Sequence, residues 1–366
     1  MPWNWELPEW PTFHYNPVLL CPLERQFLVG AGSEFAYLKT IEVKEYHRFI
    51  VEILSAEGVE SSRIEGETLD RESLQSSIQH HFGIQTRAQK KGTEKESGMA
   101  NLLCDVYDSF DEPLTHEMLG KWHSMLFQHA SNLAEVGRYR THPEPMQIVS
   151  HRYDSPRVFF EAPPSSKVFS EMTRFIEWFN SSRNSLSVLE RAAIAHLYFE
   201  NIHPFEDGNG RIGRVVAEKA LSQGVGRPVL IAISKLLEKR KKEYYAALER
   251  CNRTLEVQQW VEFFAQIIVQ AHADAMKLLY FILEKSKMLT VLAGHLNPRQ
   301  EKVLLRLFAE GPDGFQGGLT AEKYIAITKA PRATATRDLT DLVDKGALFK
   351  TGELRHTRYW LNLQVS

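Results

Sequence analysis

Apolar residues recur at the helical interval along almost the whole chain, and this confines the fold to a mainly α class. Phe49, Ile50, Ile53 and Leu54 form one such stripe, and Leu102, Leu103, Val106 and Tyr107 another. The pattern returns through Val168 to Phe179, Leu189 to Phe199, Arg214 to Gly224, and from Leu236 to about Lys287. One stretch breaks it. Met146 to Val149 alternates with a period of two, a polar turn follows at His151 to Pro156, and the apolar run Val158 to Phe160 comes next, so one β-hairpin is expected inside a helical core.

A chain of 366 residues with 43% hydrophobic content can bury a large core and divide into two or three domains. Its formal net charge of -2 excludes a global electrostatic footprint for nucleic acid or membrane. Cys21, Cys104 and Cys251 are too scattered for a metal site or a disulfide framework. The start of the chain lacks the pattern of a signal peptide, and no apolar run approaches about 18 residues, so a cytoplasmic protein without a membrane span is expected. The organisation read from the sequence is a Trp/Pro-rich segment at 1–35, taken as extended and pinned by its aromatics, then a helical region at 36–130. A core at 131–290 follows, with a separate unit at 297–366. Lys90, Lys91 and Lys95 lie in a polar stretch that reads as a solvated loop.

The chemistry concentrates in His203-Pro204-Phe205-Glu206-Asp207-Gly208-Asn209-Gly210-Arg211-Ile212-Gly213-Arg214. Gly208, Asn209 and Gly210 can take backbone angles that let successive N–H groups converge on an anion, and a helix starting at about Gly210 adds its positive end. Arg211 and Arg214, spaced i, i+3, project from one face of that first turn towards the same anion. Asp207 supplies a hard oxygen for Mg2+, and His203 has the pKa range of a general base.

This stretch resembles the signature of the Fic family, H-x-F-x-[D/E]-G-N-G-R-x-x-R, at every fixed position, and the resemblance extends from about residue 45 to 285. It implies a protein adenylyltransferase: a target Ser, Thr or Tyr hydroxyl attacks the α-phosphate of ATP and pyrophosphate leaves. On that resemblance His203 is catalytic, Asp207 holds Mg2+, and Phe205 anchors the loop. The nucleotide-binding set is Glu65, Gly208, Asn209, Gly210, Arg211, Ile212, Gly213, Arg214 and Tyr245. The hairpin corresponds to the family's flap, which aligns a target segment by strand pairing. The segment Ser61-Ser62-Arg63-Ile64-Glu65-Gly66 is similar to the family's inhibitory pattern [S/T]-x-x-x-E-[G/N], so Ser61, Glu65 and Gly66 form an inhibitory motif at 61–66. There Glu65 pairs with Arg214 and withholds it from the nucleotide.

Residues 297–366 read as three helices followed by two short strands, a winged-helix pattern. Thr334, Thr336 and Arg337 lie on the exposed start of its third helix, and Arg332, Lys350, Arg355 and Arg358 are candidate phosphate contacts. Asp338, Asp341 and Asp344 lie along the same helix and weaken a case for DNA, so DNA binding and protein docking both stay open here. The partners expected are a hydroxyl-bearing target protein, the chain itself as a second target, and a second copy in a homodimer. Two alternatives to AMP transfer are a nucleotide-sensing winged-helix transcriptional regulator and a Fic enzyme that removes AMP from a protein.

Overall fold

The computed structural model describes residues 2–84, 92–127, 130, 133–149 and 157–363, with the backbone alone at Arg355. The turn expected at His151 to Pro156, the lysines Lys90 and Lys91, and the Arg355 side chain lie outside what it describes. The fold is mainly helical. Short 3-10 turns at Asn4–Glu6 and Pro17–Leu20 lead into α1 (Cys21–Leu38), α2 (Val43–Ile64), α3 (Arg71–His81), α4 (Glu94–Asp108) and α5 (His116–Phe127). The strands β1 (Gln147–Val149) and β2 (Val158–Glu161) precede α6 (Ser165–Ser181), α7 (Val188–Ile202), α8 (Asn209–Val225), α9 (Ile233–Lys239), α10 (Lys241–Cys251) and α11 (Gln258–Val291). The chain ends with α12 (Pro298–Phe308), α13 (Ala321–Thr328), α14 (Arg332–Asp344), β3 (Leu348–Thr351) and β4 (Arg358–Leu361). No helix among the described residues is long and apolar enough to cross a membrane.

The chain divides into two compact units, Met1–Lys39 with Ile50–Ala275, and Thr40–Phe49 with Met276–Ser366. The first is organised around α7, whose residues from Leu189 to Phe199 are all buried. A helix apolar on every side has to sit in the middle of a domain. Its neighbour α8 is buried almost as completely, and it comes close because Gly213 has no side chain: a β-carbon there would lie 2.5 Å from Glu200 Oε1. The guanidinium of Arg191 sits in this interior with every donor group bonded, to Ser182 Oγ, Gln223 Oε1 and the carbonyls of Phe179 and Ala220, which is how a buried charge is tolerated.

The expected hairpin is present as an antiparallel β1–β2 pair, with Gln147 opposite Glu161, Ile148 opposite Phe160, and a register shift before Val149. Ile148, Val149 and Val158 are exposed. The N-terminal aromatics brace its base: Trp3 packs edge-on to Phe160 at 5.6 Å, and Trp5 Nε1 donates to the Glu161 carbonyl at 2.7 Å. Further along, Trp10 and Phe13 pack edge-on against Tyr198, 5.3 and 5.8 Å away. The expectation of an extended segment through residue 35 is corrected, because α1 is helical from Cys21. Its buried residues, Phe27, Ala31 and Glu34, do fall at helical spacing. Gly30 and Gly32 obscure that stripe; the Gly30 α-carbon lies against the His272 ring, where a β-carbon would come within 2.7 Å.

In the second unit α12, α13 and α14 pack around Leu304, Leu307, Tyr324, Leu339 and Leu342. They are followed by the antiparallel pair β3–β4, with Leu319 bridging to Tyr359 as a third edge. The order is the three helices and hairpin expected. Asp338 does not lie on the exposed face of α14: it is buried, accepting from Arg299 Nε and the Tyr324 hydroxyl at 2.8 Å each and from Asn297 Nδ2 at 3.0 Å.

Candidate active site

Helix α7 starts at a capping box formed by Ser187 and Glu190. It ends where His203 takes a left-handed backbone, φ 51°, uncommon for a residue with a side chain. Two residues on, Phe205 is fully buried and stacks on His123, ring centroids 4.3 Å apart. Asn209 closes the loop: its Oδ1 accepts from Phe205 N and its Nδ2 donates to Phe205 O, both at 2.9 Å. Gly208 takes φ 81° as the residue before α8, and a β-carbon there would stand 2.5 Å from the Phe127 ring. The first intrahelical bond is Ile212 N to Gly208 O. The amides of the first turn before it have no intrahelical acceptor, and with the helix dipole they make an anion seat.

That seat already faces a negative charge. Beyond the end of α2, the Glu65 carboxylate reaches across so that its Oε1 lies against the Gly210 α-carbon, in the space a β-carbon would need. The same oxygen accepts from Arg214 Nη2 at 2.7 Å. Arg214 also donates from Nε to Ser61 Oγ and from Nη2 to Ser61 O, each at 2.9 Å, while its buried Nη1 has no partner among the described residues. Arg211, one turn earlier, lies 4.8 Å over the Phe127 ring, donates to Glu67 Oε2 at 2.6 Å, and approaches Asp207 Oδ1 at 3.6 Å.

Burial, reinforced by the Arg140 charge, pushes His203 down to about 4, so its imidazole is neutral at pH 7. Its Nδ1 is buried and stands 3.9 Å from Glu200 Oε2, outside hydrogen-bond reach. Burial pushes the Glu200 carboxyl up to about 8; Glu65 adds to this and Arg214 opposes it. Burial works against the charge on Arg214, but the Glu65 carboxylate with Tyr244 and Glu200 outweighs it and holds the guanidinium above its ordinary value. Arg140 is itself buried; its Nε donates to His203 O and its backbone N to Pro204 O, each at 2.9 Å, which fixes the turn that carries the histidine.

Of the residues singled out from sequence, Ser61, Glu65, Gly210 and Arg214 meet at one point, with Gly66 turning the chain at φ 81° just behind them. Ile212 is fully buried and Gly213 backs on to His196 and Glu200, so these two face the interior. Asn209 uses its side chain on the loop. Tyr245 is 43% exposed with its hydroxyl 3.4 Å from Ile64 O, whereas Tyr244 is buried on His196. Asp207 is more than half exposed; its Oδ1 accepts from Gly208 N at 2.5 Å. Among the described residues no group of three or more His, Cys, Asp or Glu is placed to hold a metal. A cation at Asp207 would therefore rest on one carboxylate and a ligand's own oxygens, the manner in which Mg2+ is commonly held. Sequence reasoning missed Arg140, Glu200 and Glu67. Arg140 lies 63 positions from the histidine it braces, and nothing in the local pattern marks it.

Residues 113–221 match the family model described as the Fic/DOC family, and residues 3–84 match a domain of unknown function (DUF4172). The chain is 24% identical over 222 residues to Protein adenylyltransferase fic-1 of Caenorhabditis elegans, covering 58% of this chain and 40% of that protein. It is 36% identical over 95 residues to Protein adenylyltransferase Fic of Drosophila mojavensis, covering 26% and 18%. The chain thus spans less than half the length of these two relatives. Among solved structures, a Fic family protein from Desulfovibrio desulfuricans aligns over 96% of this chain and 98% of its own, with a TM-score of 0.54 and 18% identity. A Fic domain containing signaling protein from Bacteroides thetaiotaomicron aligns over 70% and 96%, with a TM-score of 0.53 and 20% identity. At that identity these two speak for the fold. The stretch that matches the Fic/DOC family model, residues 113–221, carries the whole of the motif from His203 to Arg214.

Proposed function

We propose that the chain is a protein adenylyltransferase that transfers AMP from ATP to a Ser, Thr or Tyr hydroxyl of a protein, with Mg2+ at Asp207 and with Glu65 as a built-in brake. The observation that carries this is the position of Glu65 Oε1: an anionic oxygen held at the first turn of α8 by Arg214, against the bare α-carbon of Gly210. A site that accommodates one anionic oxygen at a helix N-terminus beside two buried arginines suits phosphate oxygens on the same terms. The relatives named protein adenylyltransferases support the same reading.

In this reading the neutral His203 takes the hydroxyl proton as the hydroxyl oxygen bonds to the α-phosphorus. The bond from that phosphorus to the bridging oxygen breaks, and pyrophosphate leaves. Mg2+, when bound, supplies positive charge to the phosphate oxygens. Arg211 and Arg214 hold the outer phosphates once their carboxylate partners release them, and Tyr245 meets the base. Glu200, beside His203 Nδ1, keeps its proton at pH 7 and so places no second negative charge against the phosphates.

The test compares ATP labelled at the α- and γ-phosphates in wild type, Glu65→Gly and His203→Ala. Covalent label on protein from the α-phosphate alone, increased in Glu65→Gly and lost in His203→Ala, is expected; label on the enzyme itself would identify self-modification. No label in any variant with cell lysate as acceptor, but release of AMP from a modified protein, would turn the reading to AMP removal.

A second reading concerns residues 297–366 as a DNA-docking winged helix. It is favoured by the inward turn of Asp338 and by the ties of Asp341 to Gln300 and Lys345, which leave Arg332, Thr336, Arg337 and Thr340 exposed on α14 with Asp344 as the one exposed acid of that helix. Binding to duplex DNA that falls steeply between low and physiological salt, and is weakened by Arg337→Ala, is the expected sign.

A further inference from the structure

We propose that Glu67 is a second arm of the brake, occupying Arg211 as Glu65 occupies Arg214. The two pairs are built alike. Glu65 Oε1 to Arg214 Nη2 is 2.7 Å, and Glu67 Oε2 to Arg211 Nη1 is 2.6 Å. The arginine side chains are 1% and 5% exposed and the carboxylates 27% and 29%, so each pair joins a buried cation to a half-covered anion.

The geometry that permits this is local. Gly66, with φ 81°, and a bond from Glu67 N to Ser62 O at 2.9 Å curl the chain back over the end of α2, as a C-terminal helix cap does. Residues 65 and 67 therefore both project towards α8, where the two arginines stand one turn apart. The curl is tethered on its far side by the start of α4: Lys95 Nζ donates to Glu67 Oε1 at 3.1 Å, and Asp70 N donates to Glu96 Oε1 at 3.0 Å. The charged groups facing Glu67 are thus Arg211 and Lys95, with Asp207 on the far side of Arg211.

A rim ion pair that only adds a little stability is the competing account. Two features stand against it. Arg211 is buried against Phe127 with its Nε unpartnered among the described residues, an arrangement that wastes a donor unless an anion completes it. Among the described residues the carboxylate at hydrogen-bond distance from it, moreover, is Glu67, which leaves together with Glu65 if the residues after α2 lift away, while Asp207 stands farther off at 3.6 Å. A brake with two arms also means that removing Glu65 alone leaves Arg211 occupied.

This inference rests on the ATP reading, and the test separates the two. Equilibrium titrations with ATP, ADP and AMP are made on full-length wild type, Glu65→Gly, Glu67→Gln and the double variant, with a thermal melt of each without nucleotide. Glu67→Gln is expected to tighten ATP and ADP about three- to tenfold while leaving AMP unchanged, because Arg211 serves the outer phosphates. The double variant should bind ATP more tightly than Glu65→Gly. ATP binding by Glu65→Gly with no gain from Glu67→Gln would overturn the second arm and leave the ATP reading standing. An equal gain for AMP would also overturn it, since the effect would then not pass through Arg211. No ATP binding by any variant would remove the ATP reading and the arm with it.

Discussion

Replacing Glu65 with glycine removes the one anionic oxygen that lies against Gly210 and bonds to Arg214 at 2.7 Å. A charge-assisted hydrogen bond of this kind contributes about 1.5–3 kcal/mol. Water reaches the carboxylate, which is 27% exposed, so the lower half of that range applies, about 2 kcal/mol or roughly 30-fold in the ratio of closed to open sites. Two bonds from Arg214 to Ser61 survive the substitution, as does the Glu67–Arg211 pair, so the full factor is an upper bound. The expected gain in initial rate of AMP transfer is about 10- to 30-fold. Carboxylate and phosphate cannot share the space over Gly210, so the gain should be largest at low ATP and shrink as ATP saturates. Without nucleotide the variant should melt a few degrees below wild type, because Arg214 stays buried with one partner fewer; saturating ATP should restore it. The assay is label transfer from the α-phosphate to a proven acceptor across an ATP series. A rate no higher than wild type at low ATP would refute the occupancy argument.

Four further outcomes follow from the same geometry. His203→Ala should abolish transfer while leaving ATP affinity within about threefold. Because the imidazole is held down at about 4 and its neutral form is the base, kcat/KM should stay level from about pH 7 to pH 5.5 and fall below that; a midpoint near 6.5 would show an unperturbed histidine. Gly210→Ala places a β-carbon where Glu65 Oε1 now lies, so it should weaken ATP binding more than tenfold even in the Glu65→Gly background, whereas binding equal to that of Glu65→Gly would mean the phosphates sit elsewhere. Glu200 keeps its proton up to about pH 8, while the unfolded chain loses it at about 4.5. Its contribution to stability is therefore largest in acid and is lost as pH rises, by about 2 kcal/mol between pH 6 and 8. Glu200→Gln lacks that loss, so denaturant titrations should show the variant gaining on wild type over this interval, and parallel curves would count against a raised carboxyl.

The helical class was legible because the long stripes of α2, α6 and α11 bury enough apolar surface to keep a 3.6-residue period over many turns. The motif from His203 to Arg214 was legible because backbone freedom, a base and two cations are adjacent in sequence. α1 was not, since its glycines interrupt the stripe and one of them serves a contact with His272, more than 200 residues away. The inward turn of Asp338 was equally hidden: spacing along α14 placed it with the other acids, and only Arg299, Tyr324 and Asn297 draw it into the core.

The sequence alone determined the chemistry available at the loop, because residue type and short-range spacing are local properties; a carboxylate brake was implied only by the resemblance of residues 61–66 to the family's inhibitory pattern. Tertiary structure decided what those residues meet. Arg140 braces the His203 turn from 63 positions away, and Ser61 reaches Arg214 across 153. Glu67, which carried no signal of its own, lies 144 positions from Arg211 and becomes its partner only through the curl at Gly66. Contacts over such separations depend on how whole helices pack, and burial then shifts the titration of His203 and Glu200 in ways that no reading of neighbouring residues provides.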